Sequence, residues 1–285
     1  MPILTLLTDF GTEDEYVGVM KGVILSIAPD VRLVDLSHQI PPQDIRRAAF
    51  LLMNAVPYFP PDTVHLAVVD PGVGTARRPV AVRTPVGTFV GPDNGLFSWA
   101  LANVPEWTAV EIREPAYRLP RVSSTFHGRD IFAPAAAYLA AGVPLEKLGP
   151  RVEDLVWLPP PRLEVGDLGV EGEILYADRF GNLVTSIGHL EWEGDTLVLV
   201  LAFGPGGSGR RFSAGAAGVV VGSPGLKPRA LGIRRTYGEV AVGEPLALVG
   251  SHGFLEIAVC QGSAVAALGA GPGAPVTLLF GRQDE

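Results

Sequence analysis

The segment PILTLLTDFGTEDEYVGVMKGVILSIAPDVRLVDL, residues 2–36, predicts the fold class of the first half of the chain. Its first part, Pro2–Thr8, is mostly apolar and predicts a buried strand. Apolar residues between Val17 and Ile27 then recur at helical spacing, and Pro29 ends the helix. Val31–Leu36 predicts a second strand. This strand–helix–strand order indicates two parallel strands joined by a helical crossover.

The alternation continues through the first half of the chain. Thr12 and Glu15 have the spacing of a capping box, which predicts that the first helix begins just after Thr12, and Asp44 is predicted to cap a helix that runs to Ala55. Further strands are predicted at Thr63–Val69, Val80–Arg83, Thr88–Val90 and Thr108–Ile112, and helices at Asn94–Asn103 and Arg129–Ala141, the last kinked by Pro134. The expected fold is α/β, with a largely parallel sheet covered by helices on both faces.

The pattern changes after residue 155. Pro159-Pro160-Pro161 predicts a stiff linker, and Gly204–Gly209 predicts a flexible loop. Glycines separate short β-like runs at Gly172–Tyr176, Leu183–Ile187, Thr196–Ala202, Ala216–Val221, Pro245–Val249, Leu255–Val259 and Val276–Phe280, with one helical turn at Ser263–Leu268. We therefore expect an α/β domain over 1–155, a proline-rich linker over 156–168, and a smaller all-β, barrel-like domain over 169–285.

Composition narrows the class of protein. The 285 residues fit two domains of ordinary size, and 47% of them are hydrophobic, which is enough for a large core. With 22 basic and 30 acidic residues the net charge is −8, which argues against a nucleic-acid binder. The single cysteine excludes a disulfide scaffold. No apolar run reaches the ~20 residues that a membrane span needs, and the first residues resemble a strand more than a signal peptide, so we expect a cytoplasmic protein.

Aspartates follow three of the predicted strands or lie near their ends. Asp9 and Asp70 precede glycine-containing turns, Asp35 lies near the end of the second strand, and Asp14 precedes the first helix. Ligands of parallel sheets bind beyond the carboxyl ends of strands, and glycine lets the backbone approach a ligand closely. Each aspartate could equally cap a turn or helix.

Several common sites are missing from the sequence. Asp9-Phe10-Gly11 matches the metal-binding tripeptide of protein kinases, but no glycine-rich loop or lysine-bearing strand precedes it. There is no dinucleotide fingerprint, no Walker A loop and no His-Glu-x-x-His, and the five histidines are scattered. We expect no metal site, although distant aspartates could converge on one.

Two further segments carry candidate chemistry. Arg77 and Arg78 lie just beyond Asp70, and one of the two arginines is expected to be an ordinary loop charge. His127 precedes a predicted helix, where it could act chemically or simply serve as a cap.

Six motifs, taken together and in this order, carry a resemblance to a known family. They are Leu7–Thr12, Val69–Thr75, Gly91–Gly95, Thr125–Asp130, Asp178–Asn182 and Ser251–Ala258. The chain resembles the S-adenosyl-L-methionine (SAM) hydroxide adenosyltransferases, relatives of the bacterial fluorinase and chlorinase. The resemblance implies an N-terminal α/β domain, a C-terminal β-barrel domain, and a homotrimer with sites at subunit interfaces.

The resemblance also implies a reaction. In that family water attacks the ribose 5′ carbon of SAM and releases adenosine and L-methionine, with SAM as substrate and no cofactor. The family's Asp–Arg–His trio maps onto Asp70, Arg77 and His127. Arg77 is preferred to Arg78 because the family's arginine lies seven residues past its aspartate.

The substrate-binding residues follow by the same resemblance. Asp9 matches a carboxylate that grips the ribose, Asp14 one near the methionine amino group, and Asn182 an amide that binds adenosine. Further adenosine contacts are expected from Asp70, Ser251, Glu256 and Val259. The chain departs from the halogenases at the methionine end, where Tyr16, Gln43 and His252 replace a serine, a tryptophan and an arginine.

Alternative functions stay open at this point. Gly128 matches a glycine of the chlorinase where the fluorinase has serine, so a SAM-dependent chlorinase is the nearest alternative. A non-catalytic adenosine or SAM sensor would use the same pocket. A metal-dependent phosphohydrolase would use the strand-end aspartates.

Overall fold

A computed structural model describes residues 1–203, 209–222 and 229–281. Most of the predicted Gly204–Gly209 loop lies outside these ranges. The chain divides into two compact units, Met1–Leu158 and Pro159–Glu285. This division falls within the segment predicted as a linker, part of which forms a short strand, Leu163–Val165.

The first unit alternates strands and helices. Its elements are β1 (Ile3–Thr8), α1 (Tyr16–Ile27), β2 (Arg32–Ser37), α2 (Ile45–Ala55), β3 (Val64–Val68), β4 (Pro79–Thr84), β5 (Gly87–Pro92), α3 (Ser98–Leu101), β6 (Thr108–Glu111), a π-helical turn (Gly128–Phe132), α4 (Ala133–Ala140) and β7 (Arg151–Val152), with single 3₁₀ turns at Val56–Tyr58, Pro115–Tyr117 and Leu145–Lys147.

The seven strands form one sheet in the order β2-β1-β3-β5-β4-β6-β7. The pairs from β2 through β5 are parallel, and β4, β6 and β7 extend the sheet with antiparallel pairs. Because β1 and β3 are parallel neighbours, with Thr8 opposite Val68, their carboxyl ends lie side by side. That edge is where Asp9 and Asp70 emerge.

Helices cover both faces of this sheet. Leu4 and Leu6 of β1 pack in one cluster with Met20 of α1 and the alanine-rich α4. Leu7 and Ala67 belong to the cluster on the other face, with Leu52 of α2 and Leu101 of α3. Strands buried on both faces explain why β1 and β3 are apolar almost throughout instead of alternating.

Two local predictions in this unit were wrong. The first helix begins at Tyr16 with Glu15 as N-cap and no side-chain cap, so Thr12 is not its capping residue. The second concerns Pro134, which does not kink a helix interior. It lies in the first turn of α4, where its missing N–H costs nothing, and the irregularity is the π-helical turn before it. The Asp44 cap is confirmed, since its carboxylate accepts from the Arg47 N–H at 2.9 Å.

The second unit is built almost entirely of strands. They are β8 (Leu163–Val165), β9 (Gly169–Ala177), β10 (Leu183–Thr185), β11 (Leu190–Glu193), β12 (Thr196–Leu199), β13 (Arg210–Ser213), β14 (Gly218–Val221), β15 (Arg229–Arg234), β16 (Pro245–Val249), β17 (Leu255–Val259) and β18 (Pro275–Leu279), with a 3₁₀ turn at Tyr237–Glu239 and helix α5 (Ala264–Leu268).

Seven of these strands close into a barrel. The order is β10-β17-β16-β15-β14-β18-β9, and β9 also pairs with β10 to complete the ring. β8 extends the sheet beyond β9, while β11, β12 and β13 form a separate three-stranded sheet. The barrel encloses side chains such as Val170, Leu183 and Ile257, which are fully buried. The predicted fold class, a largely parallel N-terminal α/β sheet followed by a smaller barrel-like β domain, is confirmed.

None of the helices in the described residues has both the length and the apolar character needed to cross a membrane.

Candidate active site

A cavity of about 420 Å³ lies in the first unit at the carboxyl ends of β1 and β3. Its size is in the range of small-molecule sites. Three aromatic or charged groups from separate segments face it: Phe10 after β1, Asp70 after β3, and His127 at the π-helical turn. The other lining residues are Glu15, Tyr16, Val19, Val68, Val73, Ser123, Thr125, Phe126, Gly128 and Arg129.

Asp70 and Arg77 form a bidentate ion pair at this cavity. Arg77 Nε donates to the two carboxylate oxygens of Asp70 at 2.9 and 3.0 Å, and Arg77 Nη2 also donates to Asp70. The Arg77 and Asp70 side chains are 9% and 5% exposed, respectively. A planar guanidinium matches a carboxylate in this way, and burial strengthens the attraction between them.

The loop between these two residues explains how they meet. It folds back on itself through turns in which Val73 N–H donates to the Asp70 carbonyl and Thr75 N–H to the Gly72 carbonyl. Gly74 has φ +77°, and a Cβ there would lie 2.4 Å from the carbonyl oxygen of Ser124. Glycine is therefore required at 74, and its close approach brings the loop against the segment that carries His127.

His127 completes the trio. Its Nδ1 lies 2.9 Å from Arg77 Nη2. A guanidinium can only donate, so Nδ1 is the acceptor and the ring proton of the neutral imidazole is on Nε2. Burial, and next the Arg77 charge, lower the pKa of His127 below its usual 6.5. The imidazole is thus neutral near pH 7, with Nε2–H as its donor.

The ring of Phe132 packs against the guanidinium of Arg77. This ring is fully buried, and the Arg77 guanidinium carbon lies 5.0 Å from the ring centroid. A cation over an aromatic face is attracted to it. Arg77 is therefore held by a carboxylate, an imidazole and an aromatic ring, which fixes its orientation.

Arg78 has a different environment. It donates to Asp93 at 2.9 and 2.6 Å and to Asp154 Oδ1 at 2.7 Å. The Asp93 N–H in turn donates to the Arg78 carbonyl. Arg78 therefore links Asp93 and Asp154, and none of the three residues lines the cavity. The structure thus places Arg77, and not Arg78, beside Asp70.

Asp9 lies next to this trio. Its Oδ2 accepts from the backbone N–H of Gln43 at 2.8 Å, and Gln43 has φ +69°. Burial, together with a smaller contribution from the Asp70 charge, raises the pKa of Asp9 above its usual 3.8, and the Gln43 N–H opposes the rise. The charges of Asp9 and Asp70 therefore interact, as expected for carboxylates at the ends of neighbouring strands.

Asp14 and Asp35, the other aspartates singled out in this unit, have different environments. Asp14 is exposed in the loop before α1, and it is Glu15 and Tyr16 that line the cavity. Asp35 lies within β2, bonded to Lys21 at 2.6 Å and 3.1 Å from His38.

Aromatic rings form one wall of the cavity. Phe10, Tyr16 and Phe126 contact one another with ring centroids 5.1 to 6.0 Å apart. A Cβ on Gly128 would come within 3.2 Å of Phe10, Phe126 and Met20, so the glycine leaves room for these rings.

The remaining predicted residues belong to the second unit. Asn182 is buried at the turn between β9 and β10, where its Nδ2 donates to Asp178 at 3.1 Å and its N–H to the same carboxylate at 2.9 Å. Phe180, at the tip of that turn, is 76% exposed. The turn thus carries one hydrogen-bonded amide, that of Asn182, and one exposed aromatic ring, that of Phe180.

Glu256 lies on β17, which pairs with β10 beside that turn. Its Oε1 accepts from the Tyr237 hydroxyl at 2.6 Å, and burial raises the pKa of Glu256. Ser251 is exposed, with its Oγ 3.2 Å from His252 Nδ1. The Val259 side chain is 6% exposed and packs in the barrel core, which leaves only its backbone for a ligand.

The described residues contain no group of three or more histidine, cysteine, aspartate or glutamate side chains arranged to hold a metal ion. The side chains of Asp70, Arg77 and His127 instead form hydrogen bonds with one another.

Comparison with known proteins places the chain. Residues 4–149 match the model of the SAM hydroxide adenosyltransferase N-terminal domain, and residues 172–277 match that of the C-terminal domain. The chain belongs to the SAM hydroxide adenosyltransferase family. The resemblance that the six motifs predicted is confirmed, and the two family domains span most of the chain.

Three curated relatives are similar to this chain over at least 90% of their own length. A protein of Thermus thermophilus named (R)-S-adenosyl-L-methionine hydrolase is 47% identical over 96% of this chain and 98% of its own. One of the same name from Salinispora tropica is 40% identical over 95% of each chain. A fluorinase of Actinopolyspora mzabensis is more distant, at 29% identity over 90% of each.

Solved structures of similar chains agree with the fold. A crystal structure of an uncharacterized conserved protein from Thermotoga maritima has a TM-score of 0.82 at 35% identity, covering 96% of this chain and 99% of that one. A conserved hypothetical protein from Thermus thermophilus has a TM-score of 0.73 at 44% identity, covering 98% and 100%.

Sequence reasoning about this family member missed two groups near the site. Phe132 was expected only as part of a helix, and His38 only as one of five scattered histidines. For His38 the signal is the strand register: Leu7 lies opposite Ser37, so the next residues, Thr8 and His38, are neighbours.

Proposed function

We propose that this protein hydrolyses SAM to adenosine and L-methionine. A water oxygen bonds to the ribose 5′ carbon from the side opposite sulfur, the carbon–sulfur bond breaks, and its electron pair stays on sulfur as the neutral thioether of methionine. The water gives up one proton, so water and the sulfonium cation yield adenosine, methionine and H⁺. Membership of the family and the names of the relatives at 40–47% identity support this reaction.

One observation carries the proposal. Asp70, Arg77 and His127, separated by up to 57 residues in the chain, form one hydrogen-bonded group of which Asp70 and His127 line the cavity. The leaving thioether needs no acid, so the demanding step is to make water nucleophilic near pH 7. A fixed guanidinium favours hydroxide character, and the spare lone pairs of the Asp70 carboxylate can accept a water proton. The Nε2–H of neutral His127 is suited to hold the water oxygen.

The cavity favours this chemistry in two ways. Attack of hydroxide character on a sulfonium cancels charge, so a cavity with an aromatic wall formed by Phe10, Tyr16 and Phe126 favours the transition state over the separated charges. Holding the water behind the 5′ carbon adds a proximity effect worth up to roughly 7–11 kcal/mol in well-oriented systems. We propose that no metal or other cofactor is required.

We assign substrate contacts by the same proposal. Asp9 would accept hydrogen bonds from the ribose hydroxyls, because an ionised carboxylate accepts from two O–H donors. Asp14 would lie near the methionine amino group. Adenosine would be held by Asp70, Asn182, Ser251, Glu256 and the backbone of Val259.

The relatives' name specifies one sulfonium epimer, (R)-S-adenosyl-L-methionine. We propose the same preference here. The two epimers exchange the methyl group and the methionine arm around sulfur, so only one of them fits while the 5′ carbon stays in line with the water. Separate assays of the two purified epimers test this preference.

Isotopic water tests the reaction itself. Pure protein incubated with SAM in H₂¹⁸O is expected to give methionine and adenosine with ¹⁸O in the 5′ hydroxyl. Adenosine without the label would show that the carbon–sulfur bond breaks by another route. Tight binding of SAM without release of adenosine over hours would make the protein a sensor instead.

Two additions to the same assay test the alternative functions. Activity that survives EDTA supports a reaction without metal, and activity lost on chelation contradicts it. Added chloride is expected to give no 5′-chloro-5′-deoxyadenosine; its appearance would establish the chlorinase alternative.

We further propose a cytoplasmic homotrimer with sites at subunit interfaces. Its support is the family resemblance. Light scattering is expected to give a mass three times the 30.0 kDa of the chain. An Arg77→Ala chain and an Asn182→Ala chain, each inactive alone, are expected to recover part of the activity when refolded together.

A further inference from the structure

Two histidine–threonine pairs lie along β1 and are nearly identical in geometry. Thr5 Oγ1 lies 2.9 Å from His65 Nδ1, and Thr8 Oγ1 lies 2.8 Å from His38 Nδ1. All four residues are at most 5% exposed. The Thr5 pair lies toward the start of the strand, and the Thr8 pair lies at its end, next to Asp9.

The Thr8 pair holds the loop that follows β1. Thr8 Oγ1 also accepts from the Phe10 N–H at 3.3 Å, and the His38 carbonyl accepts from the Gly11 N–H at 2.8 Å. One histidine therefore contacts the loop through both its ring and its backbone. Since Asp9 lies between these attachment points, its backbone is fixed on both sides.

The segment after β2 continues this support. Gln39 Nε2 donates to Thr12 Oγ1 at 3.3 Å, and the Gln43 N–H donates to Asp9 Oδ2 at 2.8 Å. Residues 38–43 thus act as a brace that holds Asp9 by its main chain, through His38, and by its carboxylate, through Gln43. It is the backbone of Gln43, at φ +69°, that makes the second contact.

His38 is itself held from the far side. Its Nε2 lies 3.1 Å from Asp35 Oδ1, off the axis of a good hydrogen bond, and Lys21 Nζ donates to the other oxygen of Asp35 at 2.6 Å. A chain of polar contacts therefore runs from Lys21 on α1 through β2 to the loop at the cavity. Lys21 and Asp35 are partly exposed and only the His38 ring is buried, so the orientation of the ring is set by Thr8 at Nδ1 and by the Asp35 charge near Nε2.

We propose that His38 is a positioning residue for Asp9, holding that carboxylate in place for the ribose hydroxyls of the nucleoside. This inference rests on the proposed function for the role of Asp9. His38 is buried and contacts the Asp9 loop only through Thr8 and the Gly11 N–H, so its effect is indirect: loss of these contacts leaves the trio intact and weakens the hold on the ribose.

Matched threonine substitutions test the proposal. Thr8→Val removes the hydroxyl that joins His38 to the loop with little change of shape, and Thr5→Val removes the corresponding hydroxyl from the His65 pair. Thr5→Val loses one buried hydrogen bond, and Thr8→Val loses the one to His38 and the longer one from the Phe10 N–H, so both are expected to lower the melting temperature, Thr8→Val somewhat more. Only Thr8→Val is expected to raise the KM for SAM, by roughly tenfold, with kcat changed less than about threefold.

Histidine variants give a second comparison. His38→Ala is expected to raise the KM more than Thr8→Val does, and His38→Asn to restore part of the loss, because its amide oxygen can replace Nδ1 as a partner of Thr8. His65→Asn provides the control at the other end of β1. If His38→Ala fails to fold, the comparison of Thr8→Val with Thr5→Val tests the positioning role of His38.

Calorimetric binding of adenosine separates this inference from the proposed function. The dissociation constant is expected to rise about tenfold in Thr8→Val and to stay unchanged in Thr5→Val. Equal effects of the two threonine variants on KM and on adenosine binding would overturn the positioning role. A wild-type protein that binds adenosine but releases none from SAM would instead overturn the proposed function, and the binding comparison would still test His38.

Discussion

Arg77 and His127, fifty residues apart in the chain, are joined by a hydrogen bond of 2.9 Å in which the arginine donates to Nδ1. The direction of this bond assigns roles to both side chains. It keeps the proton of the neutral imidazole on Nε2, and it uses Arg77 Nη2, the same nitrogen that also donates to Asp70. The catalytic proposal therefore depends on Arg77 as the link between the other two groups.

Replacing Arg77 by lysine tests that link. Lysine keeps the charge but lacks the planar fork, so it cannot bind both oxygens of Asp70 and also reach His127. We expect Arg77→Lys to lower kcat by at least about 100-fold. The matched control is Arg78→Lys, which disturbs ion pairs with buried Asp93 and exposed Asp154, neither of which lines the cavity, and it is expected to change kcat by less than about threefold. Similar losses in the two variants would contradict the assignment.

Two amide substitutions at His127 separate the roles of its ring nitrogens. Asparagine places its amide near the position of Nδ1, where its oxygen accepts from Arg77, but it does not reach the position of Nε2. Glutamine reaches the Nε2 position with an N–H donor. If the Nε2–H holds the attacking water, His127→Asn lowers kcat by roughly 100-fold and His127→Gln by only about tenfold. The reverse order, measured by adenosine release under saturating SAM, would assign the main role to Nδ1.

The acid side of the pH profile follows from the same environment. The lowered pKa of His127 keeps the imidazole neutral below its usual 6.5, so activity depending on neutral His127 is full above that pKa and is lost as the pH falls through it. The raised pKa of Asp9 means that its carboxylate protonates at a higher pH than the usual 3.8. We expect kcat/KM to be level near neutral pH and to fall between 6.5 and 3.8. His127→Asn is expected to make this fall shallower; a fall that begins above pH 6.5 would contradict the lowered pKa of His127.

The sequence predicted the parts of this protein that depend on local pattern. The apolar runs of β1 and β3 show burial on both faces, and the Asp44 cap was found because a capping aspartate acts within three residues of itself. The start of α1 was predicted too early, although Thr12 and Glu15 have capping spacing. Thr12 belongs to the braced loop beside Asp9, where its hydroxyl accepts from Gln39, so a tertiary contact replaces the local one.

Contacts that depend on register were beyond the sequence. The pairing of Thr8 with His38 requires the shift in register between Leu6 and Leu7 where β1 meets β2, and no local signal marks it. The ring of the barrel likewise depends on β9 pairing with both β18 and β10, strands nearly a hundred residues apart. The choice of Arg77 over Arg78 came from the family resemblance, and it could not be derived from local pattern because the two arginines are adjacent: the Arg77 side chain contacts Asp70, whereas that of Arg78 contacts Asp93 and Asp154.

His65 gives a prediction about stability that is independent of catalysis. Its ring is fully buried, stacked on Phe89 at 5.2 Å, and burial lowers the pKa of His65 to about 4. The unfolded chain binds this proton near pH 6.5, so between 6.5 and 4 it holds more protons than the folded chain, and stability falls as the pH is lowered. We expect the wild type to lose about 3 kcal/mol more unfolding free energy than His65→Gln between pH 7 and pH 4, measured by denaturant titration of tryptophan fluorescence. Parallel losses in the two proteins would show that His65 is not protonated on unfolding in this range.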